Sequence, residues 1–410
     1  MTNTDPIEHV VIVGGGIGGL TAALALMHHG FRVTVLEQAP VLGEVGAGVQ
    51  LSANATRVLS LLGLDDAIVA SGVEPVGKVI RHWSTGRTWE IFDLAGSSRE
   101  KYGHPFCTFH RADLHKALES GVRSRDLDAI RLDCRCESLD LSGPRPVVVL
   151  QTGERVEADL VVGADGVHSK IRIPVAGPDK AQFSGLYAWR GVIPTEKLPA
   201  HMRDPVGVNW VGPGRHVVQY PLRRGQLTNF VGIVEGQGWK QESWTQKGTM
   251  EDCLRDFEGW HEDVQTMIRA IDTHYKWAFM IREPLQDWSS GRVTLLGDAA
   301  HPTLPFLAQG AALAMEDGYV LARALHANRD NIVEALERYE AARVQRATAI
   351  VQGSNDNIAR FHNPKLADPV DANKFIEDQW QPEKVRQRYQ WLFEYKVDEA
   401  PVTRSANAPA

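Results

Sequence analysis

The sequence predicts an α/β protein in which a parallel-sheet domain is interleaved with a mostly antiparallel β-sheet and followed by C-terminal helices. Three observations predict this fold. The chain opens with a strand, a glycine-rich turn, a helix and a second strand. Its middle part alternates aromatic, β-branched and polar residues between turn signals. Amphipathic helical patterns then follow residue 330.

The composition is that of an ordinary soluble globular protein. The 410 residues are enough for one large domain or two interleaved ones, and apolar (43%) and charged (23%) contents are typical. The net charge of -7 disfavours a nucleic-acid-binding surface, because such surfaces are basic. The apolar stretch at residues 9–27 is broken by glycines and lacks a basic leader and a cleavage site, so we expect neither a signal peptide nor a membrane span.

The cysteines and histidines indicate no metal site. The four cysteines form neither a zinc-type pair nor a dense disulfide framework, and the histidines show no metal-ligand spacing with a supporting carboxylate. The cysteines are Cys107, Cys134, Cys136 and Cys253. Their number and spacing favour a reducing, cytoplasmic location.

A glycine-rich turn joins the first strand to the first helix. Residues 10–13 predict a strand buried in a parallel sheet, and residues 20–29 predict a helix. Between them, Gly14, Gly16 and Gly19 form the pattern G-x-G-x-x-G. One glycine allows the tight turn, the second lets the backbone approach a pyrophosphate, and the third permits close helix–strand contact. The phosphates would lie at the helix N-terminus, where free N–H groups favour anions.

Glu37 follows the second strand, "FRVTVL". A carboxylate at this position accepts hydrogen bonds from the hydroxyl pair of an adenosine ribose and disfavours a 2′-phosphate. The unit therefore predicts FAD or NAD, with Ile17 and Gly18 as further contacts in the turn. A glycine-rich turn in some other α/β protein is the alternative, which the order of the elements disfavours.

Two later strands end on an aspartate–glycine pair. "ADLVVGADGVHSKIR" leads to Asp165 and Gly166, and "GRVTLLGDAAHP" leads to Gly297 and Asp298. Ligands bind at the carboxyl ends of strands in open α/β sheets, so these pairs predict further nucleotide contacts. An Asp-Gly pair is also a common turn, and this is the alternative for Asp165.

The segment after Asp298 predicts a helix whose N-terminus faces a flat ring. Prolines, Pro305 among them, keep the chain extended before the helix. Gly310 and Ala311 then begin the helix with small side chains, so a ring system can lie close to its free N–H groups and their favourable dipole.

With its three motifs in this order, the chain resembles the FAD-dependent aromatic hydroxylases, which are single-component flavoprotein monooxygenases of the salicylate hydroxylase and 3-hydroxybenzoate 6-hydroxylase type. The resemblance covers essentially the whole chain. It implies a Rossmann-like FAD-binding domain with tightly bound, non-covalent FAD. Asp298 would bind the ribityl chain, Asp165 and Gly166 would hold the pyrophosphate-side geometry, and Arg111 would lie near the FAD phosphates. A surface arginine is the alternative for Arg111.

The resemblance also places the loop "GEVGAGVQLS" along the edge of the isoalloxazine ring. Ala47 and Gly48 would then contact the flavin, and Gln50 would reach the flavin or the substrate. Pro305 stands where some 3-hydroxybenzoate-type members have a glutamine. This departure favours salicylate-like chemistry and makes Pro305 a candidate contact for substrate as well as cofactor.

The strand "RHVVQYPL" carries the candidate catalytic residues. His216 and Tyr220 are four residues apart and therefore on the same face of the strand. A histidine titrates near neutrality and can accept the proton of a phenol, which is a poor nucleophile until it is deprotonated. Tyr220 would bind the substrate carboxylate or relay the proton. A strand histidine satisfied by local hydrogen bonds is the alternative.

The motifs predict a discontinuous division of the chain. We expect the FAD-binding domain at residues 1–76, 105–180 and 281–352, the substrate-binding domain at 77–104 and 181–280, and C-terminal helices with a flexible tail at 353–410. Because pockets favour domain interfaces, the substrate is expected between the first two domains.

The resemblance implies a monooxygenase that uses NAD(P)H and O2, through a C4a-hydroperoxyflavin, to hydroxylate a small hydroxylated aromatic carboxylate. A salicylate-like acid is favoured, and 3-hydroxybenzoate and 6-hydroxynicotinate are the alternatives. No second glycine pattern follows Glu37, so NADH or NADPH is expected to bind transiently. A flavin-dependent dehydrogenase or reductase is the rival reaction, and the expected assembly is a monomer or homodimer.

Overall fold

The computed structural model describes residues 7–43, 47–94, 97–236 and 246–403, and the following account refers to these ranges. The helices are α1 Ile17–His28, α2 Ala53–Leu61, α3 Asp65–Ser71, α4 Ser97–Tyr102, α5 Arg111–Arg123, α6 Arg172–Ala176, α7 Met250–Asp256, α8 Glu262–Ala270, α9 Gly310–Ala327, α10 Ile332–Phe361, α11 Pro369–Gln379 and α12 Pro382–Phe393. Short 3-10 turns at Gly297–Ala299 and Pro305–Leu307 precede α9.

The strands are β1 His9–Val13, β2 Arg32–Leu36, β3 Gly48–Leu51, β4 Gly77–His82, β5 Thr88–Asp93, β6 Cys107–His110, β7 Ile130–Arg131, β8 Cys136–Asp140, β9 Val147–Leu150, β10 Arg155–Glu157, β11 Leu160–Gly163, β12 Gln182–Pro194, β13 Val206–Gly212, β14 Arg215–Leu222, β15 Leu227–Glu235, β16 Tyr275–Ile281, β17 Ser289–Ser290 and β18 Val293–Leu295. They form two large sheets and two small ones, β3–β6 and β10–β9–β8.

The first large sheet has six strands in the order β17-β18-β11-β1-β2-β7. Its strands from β18 to β7 are parallel, and β17 is antiparallel to β18. The apolar runs of β1 and β11 are buried almost completely, as expected for strands covered on both faces. Helix α9 packs on α1 so closely that a Cβ atom at Gly318 would lie 2.8 Å from the backbone nitrogen of Ala22.

The second large sheet has seven strands in the order β16-β12-β15-β14-β13-β4-β5. Its pairs are antiparallel except for β13 and β4. Residues of α7 and α8 pack on one face of this sheet in a separate hydrophobic cluster that includes Trp189, Trp210 and Phe257. The opposite face is directed toward the six-stranded sheet, and it carries alternate residues of β14 (His216, Val218 and Tyr220) and of β15 (Val231 and Ile233).

The structure confirms the predicted fold and corrects two of its local details. Helix α1 begins at Ile17 rather than at residue 20, because Gly18 and Gly19 belong to its first turn, where close packing requires residues without side chains. The second half of the predicted glycine-rich loop is strand β3, paired with β6, rather than loop. Residues 44–46 of that loop lie outside the described ranges.

A buried ionic cluster joins α9 to α10. Nε of Arg343 donates to Oδ1 of Asp317 at 2.8 Å, and Nη2 of Arg343 lies 2.7 Å from a carboxylate oxygen of Glu316. Arg346 adds two hydrogen bonds of 2.8 Å to Glu316. The side chains of Arg343, Glu316 and Asp317 have no solvent exposure, so each buried charge must be compensated by its ion-pair partners.

We expect Arg343→Met to destabilise the folded protein by about 3–5 kcal/mol, because it leaves two buried carboxylates with fewer compensating charges. The matched control is Arg338→Met on the same helix, whose 3.4 Å pair with Glu334 is partly exposed, and we expect it to change stability by about 0–1 kcal/mol. Urea unfolding of both variants measures the difference. Equal effects of the two substitutions would contradict the role given to the buried cluster.

Candidate active site

A cavity of about 410 Å³ lies between the two large sheets. Its volume is within the usual range for small-molecule and cofactor sites. On the side of the six-stranded sheet it is lined by Gly16, Ile17, Gly18, Ala47, Gly48, Arg111, Gly166, Gly297, Asp298, Pro305, Gly310 and Ala311. On the side of the seven-stranded sheet it is lined by Gln50 (from β3), Arg190, His216, Val218, Tyr220, Val231, Ile233, Trp277, Phe279 and Met280.

The three glycines of the G-x-G-x-x-G turn are required for different reasons. A Cβ atom at Gly14 would lie 2.3 Å from the carbonyl oxygen of Ala164, and one at Gly19 would lie 2.0 Å from that of Gly14. A Cβ atom at Gly16 would meet no protein atom within 4 Å, and Gly16 lines the cavity. Packing of the chain therefore requires the first and third glycines, whereas the second leaves room for a ligand at the N-terminus of α1.

Glu37 and His115 hold the turn from both sides. Oε2 of Glu37 accepts a hydrogen bond of 2.7 Å from the N–H of Gly15, and its Oε1 accepts one of 2.8 Å from Ala39. Nε2 of His115, from α5, lies 2.7 Å from the carbonyl oxygen of Gly15. Glu37 does not line the cavity, and its contact with a ribose stays a prediction. No sequence pattern indicates this role of His115, because its contact is with a backbone atom 100 residues away.

Asp165 stabilises the turn that it forms with Gly166, here called the DG turn. Oδ1 of Asp165 accepts a hydrogen bond of 2.5 Å from Ser169, and Oδ2 accepts one of 2.7 Å from the backbone N–H of Lys170. Burial raises the pKa of Asp165, an effect that these hydrogen bonds oppose. Gly166, with φ of 77°, presents its backbone to the cavity. Asp165 therefore stabilises the turn, and Gly166 lies at the cavity surface.

Arg172 connects the DG turn to the turn formed by Gly297 and Asp298, here called the GD turn. Its buried Nη1 donates to the carbonyl oxygens of Ala299 and Ala300 at 2.9 and 3.1 Å. Gly297, with φ of 58°, makes the sharp turn after β18, and its N–H donates to Asp317 at 3.0 Å. These contacts fix the position of Asp298 at the end of the strand.

Asp298 is exposed to the open cavity, which protein surrounds. Desolvation by this surrounding protein raises the pKa of its carboxyl group, whereas the charges of His301 and Arg111 lower it. Arg111 begins α5 and also lines the cavity. The two residues are therefore a hydrogen-bonding acid and a permanent cation on the same side of the site.

The N-terminus of α9 reaches the cavity at Gly310 and Ala311. The residue before it, Gln309, is held by two buried hydrogen bonds of 3.0 Å, to Ser52 and from Asn54. Pro305 also lines the cavity and begins the preceding 3-10 turn. The small residues bring the first N–H groups of the helix to the cavity surface, where they favour negative charge.

Strand β14 forms the facing wall. Its alternate residues His216, Val218 and Tyr220 all line the cavity, as the four-residue spacing predicts. Burial holds the pKa of His216 well below its ordinary value, and the neighbouring His362 lowers it further by a smaller effect. The imidazole is therefore neutral at pH 7. Burial raises the pKa of Tyr220, so its hydroxyl group stays protonated. A neutral acceptor and a neutral donor thus share one face.

The remaining predicted contacts also lie at the cavity. A Cβ atom at Gly48 would fall 2.7 Å from the hydroxyl oxygen of Tyr220, so glycine is required where β3 crosses that ring. Oε1 of Gln50 lies 3.4 Å from Nζ of Lys78, a long contact. Ala47 accepts a hydrogen bond of 2.8 Å from the N–H of Arg111. The loop and α5 therefore support each other beside the site.

Two residues of the cavity region were missed by the sequence analysis. Arg190 lines the cavity, and its guanidinium lies 4.9 Å from the ring centroid of Trp277. A charged residue inside the apolar segment "YAWRGVIP" was a signal that could have marked it. His362, whose Nε2 is 2.7 Å from Nδ1 of His216, is 146 residues away in the chain, and no local pattern connects the two.

Within the described ranges, no group of three or more His, Cys, Asp and Glu side chains is arranged to hold a metal ion. The four cysteines are buried and free. None of the helices in the same ranges has the length and apolar character needed to cross a bilayer.

The model of the FAD binding domain family matches residues 8–354 of the chain. A 3-amino-4-hydroxybenzoate 2-monooxygenase of Streptomyces platensis is 34% identical over 96% of this chain and 97% of its own length. A 3-hydroxybenzoate 6-hydroxylase of Polaromonas naphthalenivorans is 35% identical over 95% and 96% of the two chains. A 6-hydroxynicotinate 3-monooxygenase of Pseudomonas fluorescens is 35% identical over 85% and 90%.

Among solved structures, HpxO of Klebsiella pneumoniae in complex with FAD and uric acid superposes with a TM-score of 0.80 at 26% identity, over 96% of this chain and 98% of that one. The family match covers most of the chain, and the relatives exceed 30% identity over nearly all of it. The chain therefore belongs to the FAD binding domain family, and it is an FAD-dependent monooxygenase.

The residues present fit FAD. Gly16 leaves space that no protein atom fills, and Arg111 would supply a cation for the phosphates in a cavity that two helix N-termini, which favour anionic groups, also line. We propose that the N-terminus of α1 would hold the pyrophosphate, Asp298 the ribityl chain, and Gly310 and Ala311 the pyrimidine end of the flavin. Bound there, FAD supplies the chemistry of electron transfer and oxygen activation, and the protein supplies orientation and electrostatics.

We expect Gly16→Ala to weaken FAD binding at least about tenfold, because the new methyl group points into cofactor space rather than into protein. The stability of the FAD-free protein should stay unchanged. The matched control is Gly143→Ala in a surface turn, where a Cβ atom would be 3.8 Å from its nearest neighbour. Titration of FAD-free protein with FAD, followed by flavin fluorescence, measures both affinities.

Gly19→Ala provides the opposite case. Its Cβ atom would lie 2.0 Å from a backbone oxygen, so this variant should lose folding stability as well as FAD. Wild-type FAD affinity in Gly16→Ala would contradict the position assigned to the pyrophosphate.

Proposed function

We propose that the protein is an NAD(P)H-dependent hydroxylase of a small aromatic carboxylate that bears a ring hydroxyl group. The observation that carries the proposal is the neutral, buried His216 on the wall of the cavity that faces Asp298 and the N-terminus of α9. A ring bound between the two walls has the proton acceptor on one side and the flavin on the other. The names of the three relatives support the substrate class, because each contains a hydroxylated aromatic or heteroaromatic acid.

His216 is proposed as the general base. Removing the phenolic proton raises the electron density of the ring and makes its carbon atoms nucleophilic, which electrophilic hydroxylation requires. An imidazole that is already neutral needs no prior loss of a proton. Tyr220 stays protonated and is proposed to donate a hydrogen bond to the substrate four residues further along the same strand.

Arg190 is proposed to bind the substrate carboxylate. Both Arg190 and Arg111 act on the hydroxyl group of Tyr220 by lowering its pKa, although burial has the larger, opposite effect. The charges of both arginines therefore reach this hydroxyl group. Arg111 is on the nucleotide side, where the FAD phosphates need it, whereas Arg190 lies on β12 beside β15. A guanidinium pairs with a carboxylate in two parallel hydrogen bonds.

Salicylate, 3-hydroxybenzoate and 6-hydroxynicotinate are the first candidate substrates, with Pro305 and Gln50 as further contacts. Pro305 cannot donate a backbone hydrogen bond and supplies an apolar surface beside the ring. We propose that NADH or NADPH binds transiently, because the chain has a single G-x-G-x-x-G turn, at Gly14 to Gly19.

We also propose the discontinuous division of the chain into an FAD-binding domain (1–76, 105–180 and 281–352), a substrate-binding domain (77–104 and 181–280) and C-terminal helices (353–410). The strands of the seven-stranded sheet fall within residues 77–104 and 181–280, apart from the terminal Ile281. A cytoplasmic location is proposed from the four free cysteines, and the assembly is proposed to be a monomer or homodimer.

The proposed activity is tested with a panel of aromatic acids that contains the three candidate substrates and their non-hydroxylated analogues. We expect at least one hydroxylated acid to stimulate NAD(P)H oxidation and to give one hydroxylated product per nicotinamide oxidised, identified by mass. Analogues without a ring hydroxyl should give little product, because His216 has no proton to remove. NAD(P)H oxidation that yields only peroxide, or reduces another acceptor without product, would instead indicate a reductase or dehydrogenase.

We expect Arg190→Gln to raise KM for the best aromatic acid about tenfold or more, because a charge-assisted pair is worth about 1.5–3 kcal/mol. KM for the corresponding phenol without a carboxylate should change far less. Lys197→Gln, at an exposed pair with Asp272, is the matched control for removing a positive charge and should leave both constants unchanged. Equal effects on the acid and the phenol would exclude Arg190 as the carboxylate partner.

A further inference from the structure

Three titratable side chains form a hydrogen-bonded line from the cavity to the protein surface. Nδ1 of His216 lies 2.7 Å from Nε2 of His362, and Nδ1 of His362 lies 2.7 Å from Oε1 of Glu235. His216 and His362 are 1% and 5% exposed, whereas the Glu235 side chain is 49% exposed. The line crosses the wall of the site where the end of α10 meets β14 and β15.

The inner part of this line is surrounded by aromatic rings. The centroid of the His216 ring lies 5.0 Å from that of Phe306 and 5.2 Å from that of Phe361. Phe306 also lies 5.6 Å from the His362 ring. This aromatic sleeve, formed by Phe306 and Phe361, excludes water. Hydrogen bonds inside it are therefore electrostatically strong, and their strength depends on which atom of each pair carries the proton.

The charge of Glu235 fixes the proton positions along the line. A carboxylate only accepts hydrogen bonds, so Nδ1 of His362 must carry a proton and donate to it. A neutral His362 then has a bare Nε2, which accepts from Nδ1–H of His216. The neutral His216 is left with a bare Nε2, and this is the ring nitrogen available to a ligand in the cavity.

We propose that His362 and Glu235 are positioning residues that set the tautomer of His216 and carry its proton to solvent. This inference rests on the proposed function, because it concerns the proton that His216 takes from the ring hydroxyl of the substrate. The proposed proton transfer requires no movement of other residues.

The transfer balances at every atom. The substrate O–H bond breaks as Nε2–H forms on His216, and Nδ1–H of His216 breaks as Nε2–H forms on His362. Nδ1–H of His362 then breaks as a proton joins Glu235, which releases it to water. The reverse sequence returns one proton to the product oxygen and restores the starting tautomers.

The relay also resolves a difficulty of the proposed base. Burial and His362 lower the pKa of His216 so far that the isolated imidazole is a weak proton acceptor. Burial lowers the pKa of His362 as well, although Glu235 opposes this effect, and the bond to His362 lowers the pKa of Glu235. Passing the proton outward leaves no positive charge in the buried sleeve, which an isolated His216 would have to hold.

Glu235→Gln separates the two roles. The amide oxygen of glutamine still accepts from His362, so the tautomers stay set, but the side chain carries no proton at neutral pH. With the FAD-loaded protein and 3-hydroxybenzoate as the probe, we expect kcat to fall about tenfold with little change in KM, and the solvent deuterium isotope effect to rise. Added imidazole should restore part of the rate, because Glu235 lies at the surface. Glu258→Gln, at another exposed glutamate, should behave as wild type.

His362→Phe removes the relay and the tautomer control together, and we expect a larger loss of kcat than in Glu235→Gln, about a hundredfold. If this variant fails to fold, Glu235→Gln still decides the question. Wild-type kcat and isotope effect in Glu235→Gln would overturn the relay.

A pH jump tests the relay without turnover. The probe 4-hydroxy-3-nitrobenzoate, whose phenolate absorbs visible light, is bound to the FAD-loaded protein at pH 6 and mixed into buffer at pH 8. We expect its phenolate to appear about tenfold more slowly in Glu235→Gln than in wild type. Equal rates would overturn the relay, whereas the absence of hydroxylated product from every acid of the panel would overturn the proposed function alone.

Discussion

The site depends on one buried carboxylate, that of Asp317. It accepts a hydrogen bond from the N–H of Gly297, lies 2.7 Å from Nε2 of His301 and pairs with Arg343. Burial alone would raise its pKa, but His301 and Arg343 lower it to about 2. The residue is therefore charged, and its charge holds the turn that delivers Asp298 to the cavity. The acidic pair Glu316 and Asp317 is buried in α9, so it is explained by this function and not by solvent exposure.

The same helix connects the other parts of the nucleotide side. Glu316, next to Asp317, accepts a hydrogen bond of 2.6 Å from Asn54, and Asn54 also reaches Gln309 at the start of α9. Arg172 makes the corresponding connection from the DG turn to the GD turn. Three segments that are far apart in the chain are thus joined by buried polar contacts, which are strong and directional in a low-dielectric interior. Such contacts hold the first N–H groups of α9 in place before any ligand binds.

The local part of this arrangement was predictable from sequence, and the long-range part was not. Glycine spacing, strand patterns and the four-residue spacing of His216 and Tyr220 depend on backbone geometry. Most of the residues predicted to bind cofactor or substrate line the cavity, but Gly14, Gly19, Glu37 and Asp165 do not. The early start of α1 was missed, because glycine in isolation disfavours a helix and only packing against Ala314 and Leu296 explains Gly18 there. The contact of His216 with His362 was missed because it is made by tertiary structure alone.

The charges of the two walls explain which ligands the cavity selects. Burial keeps His216 and Tyr220 neutral, so the wall formed by β14 contributes no charge. Of the described residues that line the cavity, Asp298 is the only acid, and burial raises its pKa. Arg111 and Arg190 are cations on opposite sides of the site, and the N-terminus of α9 adds a positive dipole. The potential of the cavity is therefore positive before it binds anything, which favours a cofactor with phosphates and a substrate with a carboxylate. It also favours loss of the phenolic proton, because the resulting anion is stabilised by the same field.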